Sequence, residues 1–474
     1  ITYQWQSSTD GLSFSNISGA TSETFDEGTI TQTRYYKRIT TSTLNGKDCS
    51  AESGVITVTV NDVDGGSIGS NQTICNGSTP AALTNVVAGT GDGTLVYSWY
   101  ESNDDVTYDL IIGESGAGYA PGALTQTMYY KRLTTSTLSG EPCTAESNVV
   151  TITVNDVDGG TISADQTICN GGDPAAFTSD ADGTGDGSIT YQWQSSPNGT
   201  GYANISGAIF PTYDPPVLTQ TKYYKRITTS TLNGVPCTAE SNEVIVTVND
   251  VDGGAIEDNQ TICNGGTPAP LTSTTDGTGD GTITYAWYES DDNVTFTVIP
   301  GELNEGYSPG ALTQTTYFKR ETTSSLNGTD CTDESNVVTI TINNVSAGSI
   351  AADQTICNGD DPVPFYSATD GSGSGTITYQ WQDSDDGGST WTDIPGAVFS
   401  SHDAPALTIT MDYKRITTST LNGIECSAES NVITVTINDV DAGAIEGDQI
   451  ICNGDDPSIL GSTTDGTGSG TITY

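Results

Sequence analysis

The 474 residues carry 60 Asp and Glu against 13 Lys and Arg, a formal net charge of −47. That balance excludes nucleic acid and an anionic membrane surface as partners, because both need clustered basic residues. No apolar run approaches the roughly 20 residues of a membrane span, and one histidine, His402, cannot supply a recurring zinc or Ser-His-Asp site.

A fixed period governs the rest. Trp5, Trp99, Trp193, Trp287 and Trp381 recur at a step of 94, each inside a variant of the phrase Ile-Thr-Tyr-Gln-Trp. Cys75, Cys169, Cys263, Cys357 and Cys452 keep that step, as do Cys49, Cys143, Cys237, Cys331 and Cys426, with one extra residue in the last interval. The spacing predicts modules at 63–156, 157–250, 251–344 and 345–439, a C-terminal part-module at 1–62 and an N-terminal part-module at 440–474. Since Ile472–Tyr474 return to the phase of Ile1–Tyr3, the chain reads as an internal window of a longer polypeptide.

Within residues 157–250, Ile162 and Gln166–Cys169 suggest a split first strand and Ala175–Ser179 a second, followed by the turn-rich Asp182–Gly187. In Ile189–Gln194, Ile189, Tyr191 and Trp193 share one face of a strand; the periodic tryptophans are expected as core anchors. Short strands near Ala203–Ile205 and Thr212–Tyr213 lead to a long strand within Leu218–Thr229. A hairpin turns at Asn233-Gly234, a dipeptide that favours positive φ, and Val244–Val248 closes the module. The fold class is therefore all-β: a tandem array of immunoglobulin-like sandwiches of about 94 residues, each with one disulfide.

Cysteine spacing leaves two pairings, 68 residues apart within a module (Cys75 with Cys143) or 26 across a boundary (Cys49 with Cys75). The last strand should carry Cys49 and Cys75 to opposite ends of a module, which favours pairing within modules: Cys75 with Cys143, Cys169 with Cys237, Cys263 with Cys331 and Cys357 with Cys426. Each such loop would stabilise its module by about 4 kcal/mol.

The phrases Asp165–Gly171, Ile189–Trp193, Tyr223–Arg226, Thr231–Gly234 and Cys237–Asn242 resemble the Ig/PKD-like repeats of giant Bacteroidetes surface proteins, in every module. That family includes SprB-like gliding-motility adhesins exported by the type IX secretion system. The resemblance implies an extracellular, cell-surface location, adhesion or motility as the role, and the motility or surface-anchoring machinery as a partner. It implies no catalytic residue.

The residues agree that this is not an enzyme, since an active site is rarely repeated five times over. Two acidic loops, Asn155–Gly160 at the module boundary and Asp182–Gly187, should meet at one end of the sandwich. Their oxygens, with those of sister modules, make Asp62, Asp64, Asp156, Asp158, Asp182, Asp186, Asp250, Asp252, Asp276 and Asp280 candidate calcium ligands, against the simpler reading of solvated turns. One junction, Asn343–Gly348, has lost its carboxylates. The recurring Lys-Arg pair is expected to neutralise nearby carboxylates, Trp391 to be a local packing choice, and His402 to lie in a surface loop. The expected function is a stalk or fibre of an adhesin whose modules each span roughly 35–40 Å. Substratum or surface glycans are the expected ligands, held elsewhere or, in the competing reading, by the modules themselves.

Overall fold

A computed structural model describes residues 1–474. It contains strands and turns and no helix. Two compact units are present, residues 1–166 with 173–247, and residues 167–172 with 248–474.

In the first unit, residues 63–156 show the module completely. The strand Thr94–Ser102 pairs antiparallel with Met128–Leu138 along its whole length. The far half of Met128–Leu138 pairs with the return strand Glu141–Glu146, and its near half with the terminal strand Val150–Asn155. Gln72–Cys75 then runs parallel to the terminal strand, with Ile152 opposite Gln72 and Asn155 opposite Cys75. A second, smaller layer is made by Val63–Asp64 with Thr90–Gly91 and Ser67–Ile68 with Asn85–Val87. This is the expected immunoglobulin-like sandwich with a split first strand. The same pairings recur in the second unit, where Thr282–Ser290 pairs with Thr316–Leu326, and Gln260–Cys263 lies parallel to Val338–Asn343.

The core lies between the layers. Ile68, Leu83, Trp99, Tyr130, Val150 and Ile152 form it in one module, and Ile256, Leu271, Trp287, Phe318, Val338 and Ile340 in another. Strand alternation explains the choice, since every second residue of each strand faces inward. Burying one such side chain stabilises by about 1.5–3 kcal/mol. Trp99, Trp193, Trp287 and Trp381 are fully buried, and each indole N–H donates to a loop carbonyl 17 or 18 residues on, at 2.9–3.0 Å. Trp5 is only half-buried, because residues 1–62 include no counterpart of Ile68 or Leu83 to cover it.

Alternation sends the Lys and Arg of each pair to opposite faces, and only one of them behaves as expected. Lys131, Lys225 and Lys414 bind Glu146, Glu240 and Glu429 at 2.8, 2.7 and 3.1 Å. Each also covers an aromatic ring: Tyr108, Tyr202 and Trp391, with Nζ 4.2–4.4 Å from the centroid. Trp391 is therefore one version of a recurring aromatic position rather than a choice peculiar to its module.

The arginines neutralise no carboxylate. Arg132, Arg226, Arg320 and Arg415 are completely buried, and their guanidinium groups donate to neutral oxygens. Arg226 Nη1 donates to Ser179 Oγ at 2.8 Å and Pro211 O at 2.9 Å, and Nη2 to Gly159 O and Ala181 O at 3.2 Å. Its Cζ lies 4.8 Å from the Tyr191 ring centroid, and Nε has no partner. Burial pulls the Arg226 pKa down, yet a guanidinium stays charged at neutral pH. One cation thus ties the boundary loop, the second layer and the loop after the Trp strand to the main sheet. Gly159 has to be glycine at this approach, because a Cβ there would lie 2.0 Å from Glu240 O.

His402 is not in a surface loop. It pairs with Phe365 across an isolated bridge, and its ring lies 5.6 Å from Trp381 and 6.1 Å from Tyr413. It fills the place that Tyr119, Tyr213 and Tyr307 hold elsewhere, and burial pulls its pKa down.

Arg226→Lys keeps the charge but loses the fork, and should cost that module about 2–4 kcal/mol. Hydrogen exchange of the full chain should show the loss as reduced protection confined to residues 157–250; unchanged protection there would show that the fork is dispensable.

Candidate functional site: the module junction

The terminal strands Val150–Asn155, Val244–Asn249 and Val338–Asn343 each end on an asparagine in the polar phase of the alternation, one residue past the last inward apolar side chain. Asn155 is fully buried. Its Nδ2 donates to Ser230 O at 2.9 Å and Val235 O at 3.1 Å of the following module, and its Oδ1 accepts from Ser230 Oγ at 2.7 Å. In the second unit Asn249 makes the same bonds to Ser324 and Thr329, and Asn343 to Ser419 and Ile424. Each asparagine is a plug set into the next module's hairpin.

That hairpin reaches back over the junction. At its tip Asn233 takes a φ of 50°, as the Asn-Gly turn requires, and its Nδ2 donates to Thr73 Oγ1 of the preceding module at 3.1 Å. Asn327 and Asn422 repeat the contact with Thr167 and Thr261.

The disulfides follow from this reach. Cys75 bonds Cys237, Cys169 bonds Cys331 and Cys263 bonds Cys426, with Cα atoms 5.4–5.6 Å apart and 162 or 163 residues between partners. Neither pairing expected from spacing occurs. The parallel register sets Cys75 beside Asn155, twelve residues past Cys143 along the chain, which is about 40 Å of extended strand and far beyond disulfide reach. The next module's return strand begins at that same end, with Cys237 opposite Ser230. Cys75, Asn155, Ser230 and Cys237 therefore form one rung, half covalent and half hydrogen-bonded. Cys143 and Cys357, expected in disulfides, are free, as are Cys49 and Cys452; none has a cysteine at the matching step within residues 1–474.

The two acidic loops do meet here, and their carboxylates are occupied by the backbone. Asp156 N donates to Asp186 Oδ2 at 2.8 Å, Asp250 N to Asp280 Oδ2 at 2.9 Å and Asp62 N to Asp92 Oδ2 at 3.0 Å. Asp64, Asp158 and Asp252 each accept from the glycine N–H two residues on, at 2.6–2.7 Å. Asp182 and Asp276 are exposed. No group of three Asp, Glu, His or Cys side chains lies close enough to hold a metal ion. At the junction without carboxylates, Asn344 N donates to Ser374 Oγ at 3.1 Å, and Asn264 binds Asn344 as Asn170 binds Asp250. The bonding pattern survives without the charge, so accepting N–H groups is sufficient to account for these aspartates.

The asparagine plugs and the cysteine partners were not found from sequence. The plugs had a signal, an asparagine recurring one residue past the last apolar position of the terminal strand. The partners had none, since spacing cannot report which way a neighbour's hairpin points.

Asn249→Ala strands the Ser324 and Thr329 carbonyls and should weaken the junction by about 2–3 kcal/mol. Amides of Thr316–Leu326 and Thr329–Glu334 should exchange faster in the full chain; a change spread evenly over all modules would contradict a local plug.

No curated protein matches the chain. Among solved structures, three N-terminal domains of the highly immunogenic outer capsid protein Hoc of bacteriophage RB49 are 16% identical, with TM-score 0.29, over 60% of this chain and 99% of that one. A three-immunoglobulin-domain fragment of titin is 11% identical with TM-score 0.34, over 58% and 95%. Sidekick-1 immunoglobulin domains 1–5 are 11% identical with TM-score 0.22, over 92% of both chains. A family model matches five times in succession, at residues 2–62, 64–156, 158–250, 252–344 and 346–439. The chain therefore belongs to the family described as domain of unknown function (DUF8696).

Proposed function

We propose that this chain is the stalk region of a large extracellular adhesin, a tether that holds a binding region away from a cell surface. The observation that carries this is the junction: a buried asparagine, a returning hairpin and a disulfide leave no free linker between successive modules. Disulfides are formed and kept in oxidising compartments, which supports an extracellular location. The resemblance to SprB-like repeats extends the proposal to gliding motility, with type IX export and the surface-anchoring machinery as partner.

A carbohydrate-binding array would need open aromatic faces for sugars to stack on. The half-buried aromatics that recur in the modules have a lysine ammonium over them instead, as at Tyr108, Tyr202 and Trp391, and the exposed Phe210, Tyr366 and Phe399 do not recur in every module. Glycan contact is accordingly assigned to regions beyond these modules.

Fluorescent antibody fragments raised against the purified chain test the role on live cells of the source organism. Label moving along the surface supports a motile adhesin, fixed label a static fibre, and absence of label from intact cells overturns the surface assignment. Calcium at the junctions is a separate proposal that rests on the Asp156–Asp186 and Asp250–Asp280 pairs alone. Binding there should raise the melting temperature of the chain when calcium is added, and the rise should shrink in Asp280→Ser; melting indifferent to calcium and chelator disposes of it.

A further inference from the structure

We propose that the disulfides form a ladder of overlapping loops that carries tension past the folded modules, so that the oxidised array is nearly inextensible. The loops run from Cys75 to Cys237, Cys169 to Cys331 and Cys263 to Cys426, and each begins before the previous one has closed. When a chain is drawn from its ends, tension follows the shortest covalent route. Here it crosses from Cys75 to Cys237, runs 26 residues to Cys263 and crosses to Cys426.

Those 26 residues are already extended in the fold. They comprise the rest of the return strand Val235–Glu240, the terminal strand Val244–Asn249, and the short strands Val251–Asp252, Ala255–Ile256 and Gln260–Cys263. Pulled straight they span about 90 Å. Without disulfides the same interval holds 351 residues and draws out to about 1,200 Å. A module whose core melts under load therefore lengthens the oxidised array very little, since its loosened residues lie off the taut route. A disulfide inside each module would leave three such 26-residue segments in the interval rather than one.

The proposal deepens the stalk reading and depends on it only for its biological purpose. Absence of the protein from the cell surface would remove that purpose and leave the mechanics unchanged, whereas the measurement below bears on the ladder alone.

The test is single-molecule force extension of the full chain held by its ends, with free cysteines capped by iodoacetamide. The oxidised chain should extend to about one third of the contour reached after dithiothreitol, which turns each disulfide into two thiols and leaves as its own cyclic disulfide. Cys169→Ser with Cys331→Ser removes a rung off the short route and should leave the oxidised contour unchanged. Cys263→Ser with Cys426→Ser removes a rung on it; the shortest route then runs back from Cys237 to Cys169 and crosses to Cys331, which should add about 470 Å. Equal contours for oxidised and reduced wild-type chain, a comparison that needs no variant to fold, would overturn the proposal. Equal lengthening by the two double variants would overturn it as well.

Discussion

The structure depends on a short parallel pairing, Gln72–Cys75 beside Ile152–Asn155, repeated at Gln260–Cys263 and Gln354–Cys357. Parallel strands end at the same edge. The first cysteine of a module therefore finishes level with its last residue, at the point where the chain leaves for the next module. Because the pairing is parallel, the cysteine faces forward, and the only sulfur that reaches it belongs to the neighbour's hairpin.

A second constraint makes that hairpin a reliable arm. Sandwiches of this size bury a modest core and rely on further ties. Arg226 and its counterparts provide one, a buried cation shared among backbone carbonyls of three loops. A charge at full burial is tolerated only where several dipoles converge on it. The loops that supply those dipoles include the boundary segment at Gly159, which also follows the Asn155 plug. Inside and outside of the module are tied at one place, so the long strand that holds Arg226 also positions Ser230 and the return strand bearing Cys237.

Much of the fold was legible in the residues. Alternation gave the Trp strand and the long Tyr-Tyr strand, Asn-Gly gave the hairpin tip, and the period gave the array. The split first strand was legible too; its register against the terminal strand was not, and register decides which end of that strand a cysteine meets. Arg226 was misread because alternation tells which face a residue takes, not whether that face finds carboxylates or carbonyls. His402 was misread because a lone histidine between serine and aspartate looks solvated, while its position in the period is that of a core tyrosine. The acidic loops were placed together correctly, and their bonds to backbone N–H groups follow from turn geometry that composition alone does not show.

The central claim is that covalent bonds join neighbouring modules rather than closing each one. Proteolysis of the oxidised, alkylated chain followed by mass spectrometry of linked peptides tests it most directly. The account predicts crosslinks of Cys75 to Cys237, Cys169 to Cys331 and Cys263 to Cys426, all lost on reduction. Crosslinks of Cys75 to Cys143 and Cys169 to Cys237 would contradict it and return the array to independent modules.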